Sequence, residues 1–247
     1  MQSIGFLPTL RKIAFFLLSL LVYPALYLST AFLVLLAYCC GLAGKKKMVK
    51  QLTLVWTRTV LAILLKKLSI RGMENLDPER KYLIIANHAS AFDINAIMRV
   101  CPDVSWFGRE HLLKIPLFGQ FLRMLNYIPM KTDGYRNTKN MIGQLVKNSG
   151  EYNIAIFPEG TRTLDGKLSR FHKGFIYIIR QVDIDVLPVT LNGFYRLKPK
   201  NRFTIDFTAK VSVTIHPAIS GESLKAKTDD EITALARNAV LSDFREI

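Results

Sequence analysis

The sequence predicts an α/β fold with a mixed sheet, preceded by an N-terminal helical membrane anchor. Three observations point there. Beyond residue 80, short apolar runs alternate with stretches of helical periodicity, as expected for strands and helices layered on one another. From Ile13 to Cys40 the chain carries no charge, a run longer than the about 20 residues a membrane helix needs. Hydrophobic residues make up 50% of the 247, enough for one sizeable core and an appended segment. The anchor is assigned to residues 1–68 and the α/β domain to residues 69–247, with the boundary falling between Ser69 and Arg80.

The anchor is justified by its flanks. Arg11 and Lys12 precede the apolar run, and Lys45, Lys46, Lys47 and Lys50 follow it. Basic flanks mark the cytoplasmic side of a membrane segment. Basic residues at both ends favour a monotopic hairpin with both ends on the cytoplasmic face of the plasma membrane over a single span. Pro24 is expected to break or kink the first helix. Gly41 to Gly44 offer a turn, and Leu52–Leu68 resumes a helical pattern interrupted by Arg58, Lys66 and Lys67. That second segment is amphipathic, as an interfacial helix would be.

In the domain, strands are expected at Tyr82–Asn87, Val104–Phe107, Tyr127–Met130, Asn153–Phe157, Val186–Leu191, Phe203–Phe207 and Val211–His216. Helices are expected near Asp93–Val100, Pro116–Leu125, Tyr135–Asn148, Phe171–Gln181 and Asp229–Phe244. The last opens on Asp229, Asp230 and Glu231, which suit the positive end of a helix dipole.

Composition narrows the partners. Lys and Arg number 34 against 19 Asp and Glu, a net charge of +15. Such a chain binds nucleic acid, an anionic membrane surface or an acidic partner. No basic patch interleaved with aromatics speaks for nucleic acid, so the membrane surface is the expected partner. Cys39, Cys40 and Cys101 form neither a disulfide framework nor a metal spacing and read as reduced packing residues. His111, His172 and His216 show no ligand spacing, and no metal is expected. No Gly-rich nucleotide loop is present.

The chemistry concentrates in two strand-end loops. The first is Asn87-His88-Ala89-Ser90-Ala91-Phe92-Asp93. Histidine is suited to move a proton near neutral pH, and a carboxylate on its other nitrogen fixes the tautomer. On an unbroken helix, five positions rotate by roughly 140°, so the pair would diverge. They meet only if the chain turns between a strand ending near Asn87 and a helix starting near Asp93. The second loop, Phe157-Pro158-Glu159-Gly160-Thr161-Arg162, follows another short apolar strand. Open α/β sheets bind ligands at the carboxyl ends of their strands.

Together these loops resemble the glycerolipid acyltransferase family, known by an NHxSxxD block and an FPEGTR block. Both stand here complete. The resemblance implies transfer of a fatty acyl group from a thioester to the sn-2 hydroxyl of lysophosphatidic acid, giving phosphatidic acid. The donor would be acyl-carrier protein or acyl-CoA, a substrate rather than a bound cofactor. His88 would be the base and Asp93 the group behind it. Ser90 is expected to cap the helix that carries Asp93, and Asn87 to pin the loop. Oxyanion donors are sought in the His88 loop and around Gly160.

The second block would hold the acceptor. Gly160 permits a tight backbone path, and Arg162 can clasp a phosphate by paired hydrogen bonds. Glu159 would bond an acceptor hydroxyl or orient Arg162. Pro158 and Thr161 complete the block. A third family block, ending in arginine, is matched by Ile128-Pro129-Met130-Lys131, where Lys131 keeps the charge as a phosphate contact. A fourth is matched by Val186-Leu187-Pro188-Val189-Thr190, expected to shape an acyl-binding wall. Gly174 would allow close helix packing.

Three rivals remain: an acyltransferase acting on another lysolipid or glycerol phosphate acceptor, a lysophospholipid hydrolase using water or Ser90, and a lipid-binding protein without catalysis.

Overall fold

The computed structural model describes residues 6–116, 118–130 and 135–245. Seven strands form one mixed sheet in the order β1-β7-β6-β2-β5-β3-β4. Their ranges are β1 Leu68–Arg71, β2 Tyr82–Ala86, β3 Val104–Arg109, β4 Ile128–Met130, β5 Asn153–Ile156, β6 Asp185–Asn192 and β7 Val211–Ile215. Among the described strands, β6 and β7 pair antiparallel and the other neighbours pair parallel; β6 also makes an isolated antiparallel bridge from Val186 to Ile219. The central strand β2 is buried at every position. Its uninterrupted apolar run is what a strand covered on both faces requires.

Side chains alternate along β2 and divide the core in two. Leu83 and Ile85 join a cluster with α5 (Tyr135–Glu151), α6 (Gly174–Gln181), α8 (Gly221–Lys225) and α9 (Asp229–Leu241), through Leu145, Phe175, Leu224 and Ile232. Tyr82, Ile84 and Ala86 point to the other face. They pack with α1 (Phe6–Leu42), α2 (Lys46–Ile63), α3 (Asp93–Val100) and α4 (Phe118–Met124), through Val22, Val60, Ala96 and Leu122. Helix α9 begins with a capping box, in which Thr228 and Glu231 each accept the other's backbone N–H.

The apolar run forms a single helix of about 55 Å at the usual rise. Pro24 lies inside it, exposed, and helical assignment is unbroken across it; the expected break at Pro24 does not occur. Among the described residues this is the one helix long and apolar enough to cross a membrane. It folds back on α2, and the Trp56 indole donates to Thr30 Oγ1 at 3.1 Å. Ser19, Val22, Leu26, Val34 and Ala37 turn inward, while Leu17, Leu21, Tyr27, Leu28, Phe32 and Leu35 stay exposed.

Several expectations are corrected. Phe203–Phe207 forms no strand. Its alternating Phe203, Ile205 and Phe207 dock on α1, and its backbone groups are spent elsewhere. Tyr23 OH donates to Phe203 O, Ile205 N donates to Ser19 Oγ, and Lys66 Nζ donates to Phe207 O. Strand β1 was not expected; α2 ends at Ile63 and Leu65 takes a positive φ of 55°, turning the chain into an edge strand. Gly174 opens α6, and a Cβ there would meet open space, so it serves no close packing. Strand β3 continues past Phe107 to Arg109, and that extension reaches the candidate site.

Candidate active site

The His88 loop is built by three anchors. Asn87, buried beyond the end of β2, donates through Nδ2 to Leu191 O at 2.8 Å and accepts from Leu191 N at 2.7 Å. This two-way bond imitates a strand pairing and stops the chain where β2 ends. The chain then turns, and Asp93 becomes the first residue of α3. Its carboxylate folds back over the turn. Oδ2 accepts from Ala89 N at 2.6 Å, Ser90 N at 2.8 Å and His88 Nδ1 at 2.8 Å. Asp93 is fully buried, and Oδ1 has no hydrogen-bond partner among the described residues.

An ionised carboxylate only accepts, so His88 carries its hydrogen on Nδ1 and keeps a lone pair on Nε2. The ring lies flat against Phe157, centroids 3.9 Å apart and planes 6° off parallel. Phe157 stacks in turn on Trp106 at 5.3 Å. The imidazole is thus fixed in rotation as well as in tautomer.

Ser90 lies two residues before the cap of α3, where its Oγ accepts Phe92 N at 3.4 Å. Phe92 holds the cap position, without a side-chain hydrogen bond. The Ser90 hydroxyl donates to Lys198 O at 2.8 Å, tying the loop to the residue that follows the short helix α7 (Phe194–Leu197).

The second loop turns at Gly160, whose φ of 68° favours glycine. Glu159 is buried, and both its oxygens accept backbone amides: Oε1 from His88 N at 2.6 Å and Oε2 from Ser169 N at 2.9 Å. It is not among the cleft's described lining residues, and through these two amides it braces one loop against the other. Burial pushes its carboxyl above the usual range, against the pull of those amides. Thr163 N donates to His88 O at 2.9 Å, so the backbone of His88 is held on both sides. Buried Pro158 contributes its carbonyl to His172 N at 2.8 Å.

A cleft of about 480 Å³ opens over these loops. His88, Phe157, Pro158, Gly160, Thr161 and Arg162 line it. Arg109, at the end of β3, lines it too and donates to Gly160 O at 3.1 Å. Lys200 completes a cationic rim, and no carboxylate is among its described lining residues. Half-buried Arg162 lies near Lys198: burial first, and then the Arg162 guanidinium, hold the Lys198 ammonium below the usual lysine range. Ile94, Phe107, Leu112, Leu122 and Phe175 give the other walls an apolar lining. Two further recesses, of about 530 and 850 Å³, lie elsewhere and do not include His88; chemistry, not size, marks the site.

Pro188 lies in β6 opposite Ile85 and is not among the cleft's lining residues. It occupies the point where pairing with β7 begins, and its carbonyl accepts from His216 N. Lys131 lies outside the described residues. Arg109 was not anticipated from the sequence. The available signal was a basic residue at the carboxyl end of a strand beside the one bearing Phe157.

Residues 67–192 match the family model described as Acyltransferase. The chain is 28% identical over 176 residues to a chloroplastic 1-acyl-sn-glycerol-3-phosphate acyltransferase of Brassica napus, covering 70% of this chain and 51% of that protein. It is 25% identical over 197 residues to 1-acyl-sn-glycerol-3-phosphate acyltransferase alpha of Mus musculus, covering 73% and 65%. The chain spans about half the length of the plant relatives it matches. The crystal structure of the 1-acyl-sn-glycerophosphate acyltransferase PlsC of Thermotoga maritima has the same fold. Its TM-score is 0.79 at 24% identity, over 95% of this chain and 97% of that one.

Proposed function

Because this chain belongs to the acyltransferase family, we propose that it acylates the sn-2 hydroxyl of a 1-acyl-glycerol-3-phosphate, giving phosphatidic acid. The observation that carries the reading is the buried Asp93 holding His88 at 2.8 Å on the edge of a cleft that is cationic on one rim and apolar on its walls.

The acceptor's hydroxyl attacks the thioester carbonyl as His88 Nε2 takes its proton. The C–O bond forms and a tetrahedral oxyanion results. Its collapse breaks the C–S bond, and the imidazolium returns the proton to the departing thiolate. Such acid–base help contributes about 10²–10⁴ in rate. Asp93 stabilises the imidazolium between the two transfers. The amides of His88, Ala89, Ser90 and Gly160 already donate within the protein, and we assign the oxyanion to the amides of Thr161 and Arg162, which line the cleft. Arg109, Arg162 and Lys200 receive the acceptor phosphate, and the apolar walls receive acyl chain. Ser90 is no nucleophile, because its hydroxyl is committed to Lys198 O.

The donor is a thioester of acyl-carrier protein or CoA. The exposed apolar side of α1 lies in the cytoplasmic face of a membrane, where a lysophospholipid acceptor resides.

An acyl-transfer assay across lysophospholipid acceptors and both thioester donors tests this reading. Thioester-dependent formation of phosphatidic acid is expected. Release of fatty acid without a thioester would instead identify a hydrolase.

A further inference from the structure

The segment 198–207 joins the catalytic loop to the anchor. At one end, Lys198 O accepts the Ser90 hydroxyl. At the other, the Phe203 ring packs on Phe16 and Tyr23 of α1, with centroids 5.8 Å and 5.0 Å away. Tyr23 OH donates to Phe203 O at 2.6 Å, and Ile205 N donates to Ser19 Oγ at 3.0 Å. Between these ends the backbone is stiffened by Arg202, whose guanidinium donates to the carbonyls of Arg196, Leu197 and Thr204.

Phe203 is nonetheless 48% exposed. A single exposed aromatic is ordinary, but a contiguous apolar patch marks an interaction surface. Phe203 is contiguous with one. It touches Phe16, itself 45% exposed, and beyond Phe16 lie exposed Leu17, Leu20 and Leu21. The docked side of α1 (Phe15, Ser19) and its bare side thus meet at Phe203. An aromatic held rigidly at that border has the placement of a residue at the level of lipid headgroups.

We propose that Phe203 is a second membrane contact, supplied by the catalytic domain and far in sequence from the anchor. Its partner is the interfacial layer of a phospholipid bilayer. The contact rests on the reading of α1 as a membrane element and goes beyond it. A single apolar helix lying in the interface leaves the rigid body free to roll about the helix axis, whereas contacts at α1 and at Phe203 together define one orientation. Because the same stiff segment reaches the Ser90 carbonyl partner, that tilt fixes how the cleft meets the lipid surface.

The test uses the full chain and vesicles of phosphatidylcholine and phosphatidylglycerol with brominated acyl chains. Phe203→Trp and Leu21→Trp are each compared with the parent protein, which supplies the background from Trp56 and Trp106. Quenching of the added indole is expected in both variants. Quenching for Leu21→Trp alone overturns the second contact and leaves the anchor standing. Quenching in neither overturns the membrane reading of α1 and this inference with it. A second measurement separates contact from structure. Phe203→Asp is expected to weaken vesicle binding about tenfold, the scale of losing one partly buried aromatic. Turnover of a short-chain acceptor dissolved as monomers is expected to stay unchanged. Equal loss with both acceptors would assign Phe203 a structural role and overturn the proposal.

Discussion

Glu159 Oε1 accepts the backbone N–H of His88 at 2.6 Å, so the carboxylate of one strand-end loop positions the histidine of another. Asp93 holds the imidazole of His88 and Glu159 holds its main chain. The two acidic residues look alike in sequence and act on different parts of the same residue.

Removing the base or its partner should abolish transfer without unfolding the domain. His88→Ala and Asp93→Asn are expected to lower kcat by about 10²–10⁴, measured as thioester consumption. Asp93→Asn is cleaner than an alanine variant, because an oxygen remains for the amides of Ala89 and Ser90. Retained activity in either variant would remove His88 from the mechanism.

Glu159→Gln places an amide N–H against a backbone N–H, either that of His88 or that of Ser169. A buried donor left unsatisfied costs about 1–3 kcal/mol, so a drop of that size in unfolding free energy is expected, together with a lower kcat. A variant that keeps full stability but has a raised KM for the acceptor would show that Glu159 binds substrate and is not a brace.

Arg162→Ala and Arg109→Ala should separate binding from chemistry. Each removes a charge-assisted phosphate contact worth about 1.5–3 kcal/mol, so the acceptor KM is expected to rise roughly 10- to 100-fold with smaller change in kcat. An acceptor lacking phosphate should erase the difference between parent and variant.

Stability should fall on mild acidification because of His216. Its imidazole is within 2.7 Å of the Thr190 hydroxyl, which itself donates to Val240 O. Burial holds its pKa below 6.5, with Asp243 opposing and Arg71 assisting. The unfolded chain therefore binds a proton near pH 6.5 that the folded chain refuses until lower pH. Stability from this group is complete above pH 6.5 and declines as pH falls from there toward the depressed folded value. His216→Gln is expected to flatten the thermal midpoint over that window, and an equally steep variant would assign the slope to other groups.

The pairing of His88 with Asp93 was legible because its signal is local: a histidine and a carboxylate at the seam between a strand and a helix. Glu159 was legible as important but not in role, since no pattern of letters says which way a carboxylate points. Arg109 escaped notice because one basic residue after a strand is commonplace, and only folding lays it beside Gly160. Phe203–Phe207 has the alternation of a strand, yet the surface awaiting it is a helix whose Ser19 and Tyr23 take its backbone groups. Strand β1 was hidden because its partner β7 lies far along the chain, and a short edge strand carries little periodicity of its own.

The α1–α2 hairpin contributes Val22, Leu26, Val34 and Val60 to the cluster that holds Ile84, Ala86 and Val189 of the sheet. A mere appendage can be cut and leave the rest whole; this hairpin is a wall of the building. Trimming residues 6–63 to obtain a more tractable protein would strip that side of the sheet and yield aggregate in place of a soluble enzyme. Purification should therefore keep the full chain and shield its outer stripe with amphiphile.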